Sequence, residues 1–232
     1  MVIDNPIIVA LDLPTAEEAV VMAREVEPFV GGFKIGLGLL HGPGPATIEA
    51  IVRLGKPVFA DAKLHDIPSQ VRSAAERLAK HGATWVTAHV SGGIDMLHAA
   101  VEGLSSGAGG AEAGILGVSV LTSLDKSALE RVGIRRSPGQ LVGKMAKVAG
   151  AAGCEGVVCS PHELNVVAQA APGLLRVTPG IRPQDVEDDQ ARTASPREAI
   201  DRGASLLVIG RPITQALDPA AAAEQIRAEI TG

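Results

Sequence analysis

Stretches with strand character alternate with stretches of helical periodicity along this chain, and this alternation limits the fold more than any other feature. Between the first two strand-like stretches, apolar residues recur at helical spacing, at Ala16, Ala19, Val20, Ala23 and Val26. Eight strand-like stretches follow one another: Ile7–Asp12, Gly32–Leu37, Val58–Lys63, Trp85–Val90, Ile115–Thr122, Val157–Ser160, Leu175–Gly180 and Leu206–Arg211. Strands that alternate with helices form βαβ units and a parallel sheet. Eight units in 232 residues predict an α/β fold, a closed (β/α)8 TIM barrel that occupies residues 1–232 as a single domain.

Several helix starts are marked by capping boxes, in which Ser or Thr is followed three residues later by Glu or Gln. The pairs are Thr15/Glu18, Ser137/Gln140, Ser160/Glu163 and Ser195/Glu198, and in three of them Pro takes the first helical position.

The chain contains no obvious linker. The glycine-rich stretch 105–110 indicates a flexible loop between the fourth helix and the fifth strand. A doubly wound open sheet is the alternative architecture. That fold needs a glycine-rich dinucleotide turn after the first strand, and residues 10–14 (Ala-Leu-Asp-Leu-Pro) offer none.

Composition excludes several functions. The net charge is -5, and the chain has three Phe, one Trp and no Tyr, so neither a basic surface nor a stacking platform for nucleic acid is expected. No apolar run reaches membrane-spanning length, and the N-terminal residues lack the basic start of a signal peptide, so we expect a cytoplasmic protein without membrane contact. Cys154 and Cys159 are expected to be buried thiols, and no spacing of His, Cys and acids predicts a metal site.

Charged residues are concentrated in residues 61–68, Asp-Ala-Lys-Leu-His-Asp-Ile-Pro. Because side chains alternate along a strand, Asp61 and Lys63 face the same way and Asp66 lies just past the strand end. A salt-bridge cluster would explain such charges, since buried charges need partners. However, catalytic residues of a barrel come from the C-terminal ends of several strands. Strand alternation places further inward-facing residues there: Asp12, Lys34, Gly36, Thr87 and His89. We therefore predict an active site. Charges of alternating sign favour a reaction in which negative charge moves between substrate atoms. His89 either orients the acids or is an ordinary core histidine.

The last two strand ends indicate an anion site. Residues 178–182 (Thr-Pro-Gly-Ile-Arg) follow the seventh strand, and residues 210–214 (Gly-Arg-Pro-Ile-Thr) turn from the eighth into a helix. Barrels often bind phosphate at this place, where a glycine and helix N–H groups meet an arginine. The polar segment 181–194 is long enough for a lid, from which Gln190 and Arg192 could reach a phosphate, and a mobile surface loop is the alternative.

Taken together, these motifs resemble those of orotidine 5'-phosphate decarboxylases. The resemblance extends in order from residue 10 to residue 214, through residues 10–12, 33–36, 61–68, 120–123, 177–183, 189–190 and 208–214.

The resemblance implies a homodimeric decarboxylase of orotidine 5'-monophosphate that works without cofactor or metal. In it Lys63 would be the catalytic ammonium, Asp61 would lie against the substrate carboxylate, and Asp12 and Lys34 would hold ribose hydroxyls and the charge network. Asp66 and Ile67 would reach into the partner subunit's site. The pyrimidine and phosphate contacts would come from Thr122, Ser123, Arg182, Gln190, Gly210 and Arg211.

One position departs from the family pattern. The family usually continues Asp-Ile-Pro-Asn-Thr, and its threonine touches ribose across the dimer, whereas this chain has Ser69-Gln70. Gln70 can also form hydrogen bonds but has a longer side chain. Two alternatives remain: a Mg²⁺-dependent sugar-phosphate enzyme of a sister family, and a phosphate-ligand binding protein without activity. The first places a carboxylate metal ligand where this chain has Lys34, and a cation there repels Mg²⁺.

Overall fold

Eight parallel strands close into a barrel in the computed structural model, which describes residues 4–182 and 193–231. The strands are β1 Ile7–Ala10, β2 Gly32–Ile35, β3 Val58–Leu64, β4 Trp85–His89, β5 Gly114–Val118, β6 Gly156–Val158, β7 Leu175–Thr178 and β8 Leu206–Ile209. Each strand pairs with its neighbours in sequence, and β1 pairs with β8 to close the sheet. The predicted (β/α)8 barrel is therefore confirmed, and the open sheet is wrong.

Helices follow the strands and surround the barrel. They are α1 Ala16–Val26, α2 Leu37–His41, α3 Ala46–Val52, α4 Pro68–Lys80, α5 Ile94–Ala108, α6 Lys126–Arg131, α7 Pro138–Ala151, α8 Leu164–Ala170, α9 Pro196–Asp201, α10 Arg211–Thr214 and α11 Pro219–Thr231.

The strands divide the core into two parts, as strand alternation predicts. Ile7, Val9 and Leu11 belong to the large cluster between barrel and helices. The barrel interior is filled by a smaller cluster that includes Phe59 and Trp85. This cluster packs the inside of the barrel. The inward-facing side chains that come after it along each strand lie at the C-terminal mouth.

Most strands end earlier than predicted. The fifth strand stops at Val118 instead of Thr122, and the eighth stops at Ile209 instead of Arg211. The residues beyond these ends form the loops of the barrel mouth. Only β3 runs past its predicted end, by one residue, to Leu64.

Two of the predicted capping boxes form completely. The hydroxyls of Ser137 and Ser195 accept the N–H three residues on, and the side chains of Gln140 and Glu198 accept the cap N–H in return. Thr15 caps α1 through its hydroxyl. The prediction at Ser160 is wrong, because α8 begins only at Leu164. The Glu163 carboxylate does accept the Ser160 N–H, but within a buried turn before the helix.

The predicted loop at 105–110 is also wrong over its first part, because α5 continues to Ala108. Glycine usually weakens a helix interior by about 1 kcal/mol relative to alanine. Here it permits close packing of α5 on α4: a Cβ on Gly103 or Gly107 would lie only 2.2 Å from a backbone carbonyl oxygen of α4, that of Arg72 or Glu76. The helix ends at Gly109, which takes the left-handed conformation (φ 60°) typical of a glycine helix end.

Candidate active site

The C-terminal mouth of the barrel holds a cavity of about 440 Å³. Residues from both ends of the chain line it. The predicted site residues among them are Asp12, Lys34, Asp61, Lys63, Thr122, Arg182, Gly210 and Arg211.

Four of these residues form one chain of alternating charge. The Lys34 Nζ lies 3.0 Å from the Asp12 Oδ1 and 3.6 Å from the Asp61 Oδ2. The Lys63 Nζ lies 2.6 Å from the same Asp61 oxygen. The charges thus run Asp12, Lys34, Asp61, Lys63 from the ends of three adjacent strands. Strand alternation predicts that these side chains face inward but not the order of their contacts, and Asp66, which the sequence also suggested for the alternating array, is not part of it.

Asp61 is the central acid of this network and is held as a carboxylate. Burial alone would raise its pKa. The opposite charges of Lys34 and Lys63 and hydrogen bonds from Lys63 and Thr87 outweigh burial, so the pKa of Asp61 lies below the ordinary 3.8. Two ammonium groups thus flank this one buried carboxylate and keep it ionised.

The backbone of β3 is irregular at Lys63. Pairing with β4 shifts register between Ala60 and Leu64. Lys63 has φ 47°, and it is the one non-glycine residue with positive φ within the described ranges 4–182 and 193–231. A residue with a Cβ rarely takes this conformation, which costs on the order of 1–2 kcal/mol. Such strain often occurs at functional sites.

Gly36 makes room for the charge pair between the first two strands. A Cβ at this position would lie 2.4 Å from the Asp12 Oδ1 and 3.1 Å from the Lys34 Nζ. The backbone angles of Gly36 suit other residues, with φ -87° and ψ -178°. The requirement for glycine here is therefore one of space.

The β7 and β8 ends contribute two arginines to the cavity lining, Arg182 and Arg211. Arg182 is buried, and its guanidinium Nη1 donates to the Ile181 carbonyl at 2.8 Å. Its backbone N–H donates to the Ala194 carbonyl at 2.9 Å, which joins the two sides of segment 183–192. Gly210 leads from β8 directly into α10, whose first residue is Arg211.

Other predicted residues do not line this cavity. Asp66, Ile67 and Gln70 are exposed between β3 and the first turn of α4. Ser123 is also exposed, outside the cavity lining. Gln190 and Arg192 lie outside the described residues.

Thr87 also contacts the charge network, and its sequence position does not predict these contacts. Strand alternation indicates only that it faces inward. In the structure its hydroxyl donates to the Asp61 Oδ1 at 3.0 Å and accepts the Lys63 N–H at 2.9 Å. His89, for which the sequence left both an orienting role and an ordinary core position open, places its ring 5.3 Å from the ring of His65. Burial, with the nearby charges of His65 and Lys63, lowers the pKa of His89.

Neither thiol provides a nucleophile. Both cysteines are free and buried, as predicted. Burial, reinforced by Glu163, raises the pKa of Cys159 to about 12, and burial does the same for Cys154. A thiol in this state is neutral at physiological pH and unreactive.

Among the side chains that the structure describes, no three or more His, Cys, Asp or Glu are grouped to hold a metal ion. Across the same residues, no helix is both long and apolar enough to span a membrane.

The fold and the site together define a class: a (β/α)8-barrel protein with a lysine–aspartate charge network at its C-terminal mouth and arginines just after its seventh and eighth strands. Comparison with known proteins identifies the family. The profile of the orotidine 5'-phosphate decarboxylase / HUMPS family matches residues 5–226, and the chain belongs to this family.

Individual relatives agree. An orotidine 5'-phosphate decarboxylase of Anaeromyxobacter sp. is 48% identical over 221 residues, which cover 94% of this chain and 95% of the relative. That of Paramagnetospirillum magneticum is 45% identical over 231 residues, covering 97% and 98%. The crystal structure of orotidine 5'-phosphate decarboxylase from Lactobacillus acidophilus superposes with a TM-score of 0.87 at 37% identity, covering 99% of this chain and all of that one.

Proposed function

We propose that this protein decarboxylates orotidine 5'-monophosphate to uridine 5'-monophosphate, a step of de novo pyrimidine biosynthesis. The observation that carries the proposal is the continuous network from Asp12 through Lys34 and Asp61 to Lys63 in a cavity large enough for a small molecule. Membership of the orotidine 5'-phosphate decarboxylase / HUMPS family indicates which substrate to expect. The two free, buried thiols fit a reducing compartment such as the cytoplasm.

Lys63 performs the chemistry in this proposal. The bond between the ring carbon and the carboxylate breaks, CO2 leaves, and the electron pair stays on the ring carbon as a vinyl-carbanion-like intermediate. The Lys63 ammonium stabilises that charge at short range and then donates its proton to the carbon. Solvent reprotonates the amine. The 2.6 Å contact with Asp61 aims the ammonium before substrate arrives.

The rest of the cavity supplies binding energy. Asp12 and Lys34 hold the ribose hydroxyls, and Thr122 and Ser123 contact the pyrimidine. Arg182, Gly210 and Arg211, with Gln190 from the 181–194 segment, bind the phosphate. The presence of Arg182 and Arg211 in the cavity lining, after strands other than those that carry the acids, supports this division. Energy gained at a remote phosphate can be used to organise the reacting end of the site.

The reaction as proposed needs no cofactor or metal, because a lysine ammonium stabilises the carbanion and supplies the proton. The position of Lys34 argues against the Mg²⁺-dependent alternative. Its ammonium already occupies the space between the Asp12 and Asp61 carboxylates. A divalent cation bound between these carboxylates would be repelled by the positive charges of Lys34 and Lys63.

We further propose a homodimer with shared active sites. Residues 65–70 are all exposed in the single chain although they directly follow the catalytic strand, and Ile67 is 62% exposed. An exposed apolar side chain beside the barrel mouth is consistent with a protein–protein interface at this place. Asp66 and Ile67 would enter the partner's site, and Gln70 would replace the usual threonine contact to ribose.

The decisive experiment mixes the protein with orotidine 5'-monophosphate and follows loss of the orotate chromophore, with and without a chelator. We expect turnover that the chelator does not change. Lys63→Ala should lower kcat by at least about 1,000-fold, because it removes both the charge and the proton donor. Near-full activity of Lys63→Ala would refute the mechanism, and chelator-sensitive turnover of a keto-sugar phosphate would support the alternative.

A further inference from the structure

The strained backbone at Lys63 needs a partner to hold it. On β3, Ala60 pairs with Val86 and Leu64 pairs with Ala88. The three residues 61–63 therefore lie opposite the single residue Thr87. A bulge of this kind takes backbone groups out of the regular ladder and turns side chains to new directions. Buried N–H groups removed from a ladder still need acceptors.

Thr87 supplies that acceptor with its side chain. It is fully buried in the middle of β4, and it does not line the cavity. The Oγ1 accepts the Lys63 N–H at 2.9 Å and donates its one hydrogen to the Asp61 Oδ1 at 3.0 Å. A threonine hydroxyl has a single donor hydrogen, so both of its directions are fixed by these two partners.

From this geometry we infer that Thr87 is a positioning residue for decarboxylation: its hydroxyl fixes the Lys63 backbone in the bulge and the Asp61 carboxylate beside it, and so sets the contact between the two catalytic side chains. The inference rests on the proposed function for its kinetic consequences only. Thr87 acts on both partners of the 2.6 Å ion pair, on one through its backbone and on the other through its carboxylate. Among the described hydrogen bonds, those of Thr87 are the ones by which a third residue bonds to both Lys63 and Asp61.

Removing the hydroxyl takes a hydrogen-bond partner away from both Lys63 and Asp61. In Thr87→Val the shape of the side chain is kept, but the Lys63 N–H has no acceptor at this place and the Asp61 Oδ1 loses a donor. The Lys63 ammonium is then free to leave the reacting position. Small displacements of a catalytic group can lower rates by about 100-fold. We therefore expect a fall in kcat of about 100-fold with little change in KM, because Thr87 does not contact the cavity.

The chain offers a matched control at the other end of the same strand pair. Thr84 Oγ1 accepts the Val58 N–H at 3.3 Å, just before β4 and at the start of β3. Thr84→Val thus removes one threonine hydroxyl bond to the β3 backbone, far from Lys63. We expect kcat to stay at the wild-type value. Thr87→Ser, which keeps the hydroxyl, should retain kcat within about tenfold of wild type.

The test measures kcat, KM and the acid side of the kcat–pH profile for wild type, Thr87→Val, Thr87→Ser and Thr84→Val. Loss of the hydrogen bond to Asp61 should move the acid limb of Thr87→Val to higher pH, and Thr87→Ser should restore it. Equal kcat losses in Thr87→Val and Thr84→Val, or an unchanged kcat and pH profile in Thr87→Val, would overturn the inference.

A second measurement needs no substrate. Carboxyl NMR titration of Asp61 should give a higher pKa in Thr87→Val than in wild type, whereas Thr84→Val should not differ. If wild type failed to act on orotidine 5'-monophosphate, the proposed function would fall while this titration would still decide the role of Thr87. An Asp61 pKa that is equal in wild type and Thr87→Val would count against that role.

Discussion

Asp61 is the residue on which the site's electrostatics depend, since it contacts both lysines and Thr87. An isolated buried carboxylate would be costly, but one between two ammonium groups is compensated. The network also depends on a residue with no side chain. Gly36 leaves the space that the Asp12–Lys34 contact fills.

Gly36→Ala is therefore expected to separate Asp12 from Lys34, because a Cβ would lie 2.4 Å from the Asp12 Oδ1. We predict a fall in kcat/KM of about 10- to 100-fold, measured with orotidine 5'-monophosphate. Gly38→Ala is the matched control, since a Cβ there would meet nothing within 4 Å. Similar losses in both variants would show that the space at Gly36 is not the cause.

At the scale of elements, two helices depend on close approach. Gly107 lies in α5 and faces the Glu76 carbonyl of α4. An added Cβ could be accommodated only if the backbone of α4 or α5 moved. Gly107→Ala should therefore lower the free energy of unfolding by about 1–3 kcal/mol, measured by urea denaturation.

Gly139→Ala in α7 provides the opposite case. Nothing lies within 4 Å of its added Cβ, so the substitution should stabilise the protein by about 0.4–1 kcal/mol. If Gly107→Ala were also neutral or stabilising, α4 and α5 would not need their present separation.

The elements also show how far the sequence alone could lead. Hydrophobic patterning predicts all eight strands, and their alternation predicts which side chains meet at the mouth, including Lys34 from a separate strand. The helical state of 105–108 could not be predicted, because the neighbour that favours glycine there lies on another helix. The bulge at Lys63 could not be predicted from the sequence for a similar reason. Register shifts depend on the partner strand, and nothing local in residues 61–63 marks a left-handed lysine. The role of Thr87 therefore appears only in three dimensions.

For the whole molecule, Asp61 links stability to pH. Its folded pKa lies below the ordinary 3.8, so the unfolded chain binds the proton more readily. The carboxylate's contribution to stability is complete above pH 3.8 and is lost as pH falls from there through the folded pKa. We expect the free energy of unfolding of wild type to fall more steeply in this acid range than that of Asp61→Asn, in denaturant titrations. Glu224→Gln, at an exposed position of α11, should keep the wild-type slope. Parallel profiles for wild type and Asp61→Asn would contradict the linkage.

A shared site makes a second prediction about the whole molecule. Lys63→Ala and Asp66→Ala should each be nearly inactive alone. If each site combines Lys63 of one subunit with Asp66 of the other, mixed dimers regain one intact site. Unfolding and refolding the two variants together at equal concentration should restore about a quarter of wild-type activity. No recovery, with dimers confirmed by sedimentation, would place both residues in one subunit's site.

The β1–β8 seam has a consequence for how the site comes into being. The acids and lysines of the charge network lie on or just after β1, β2 and β3, whereas Arg182 and Arg211 follow β7 and β8. The two groups are joined where β1 pairs with β8, from Ile7 with Leu207 to Val9 with Ile209. A chain still emerging from the ribosome can contain every residue of the charge network and still lack the two arginines that complete the cavity lining. The substrate pocket is thus among the last features to be completed. A ligand that spans the seam binds only the closed barrel and so favours closure by mass action.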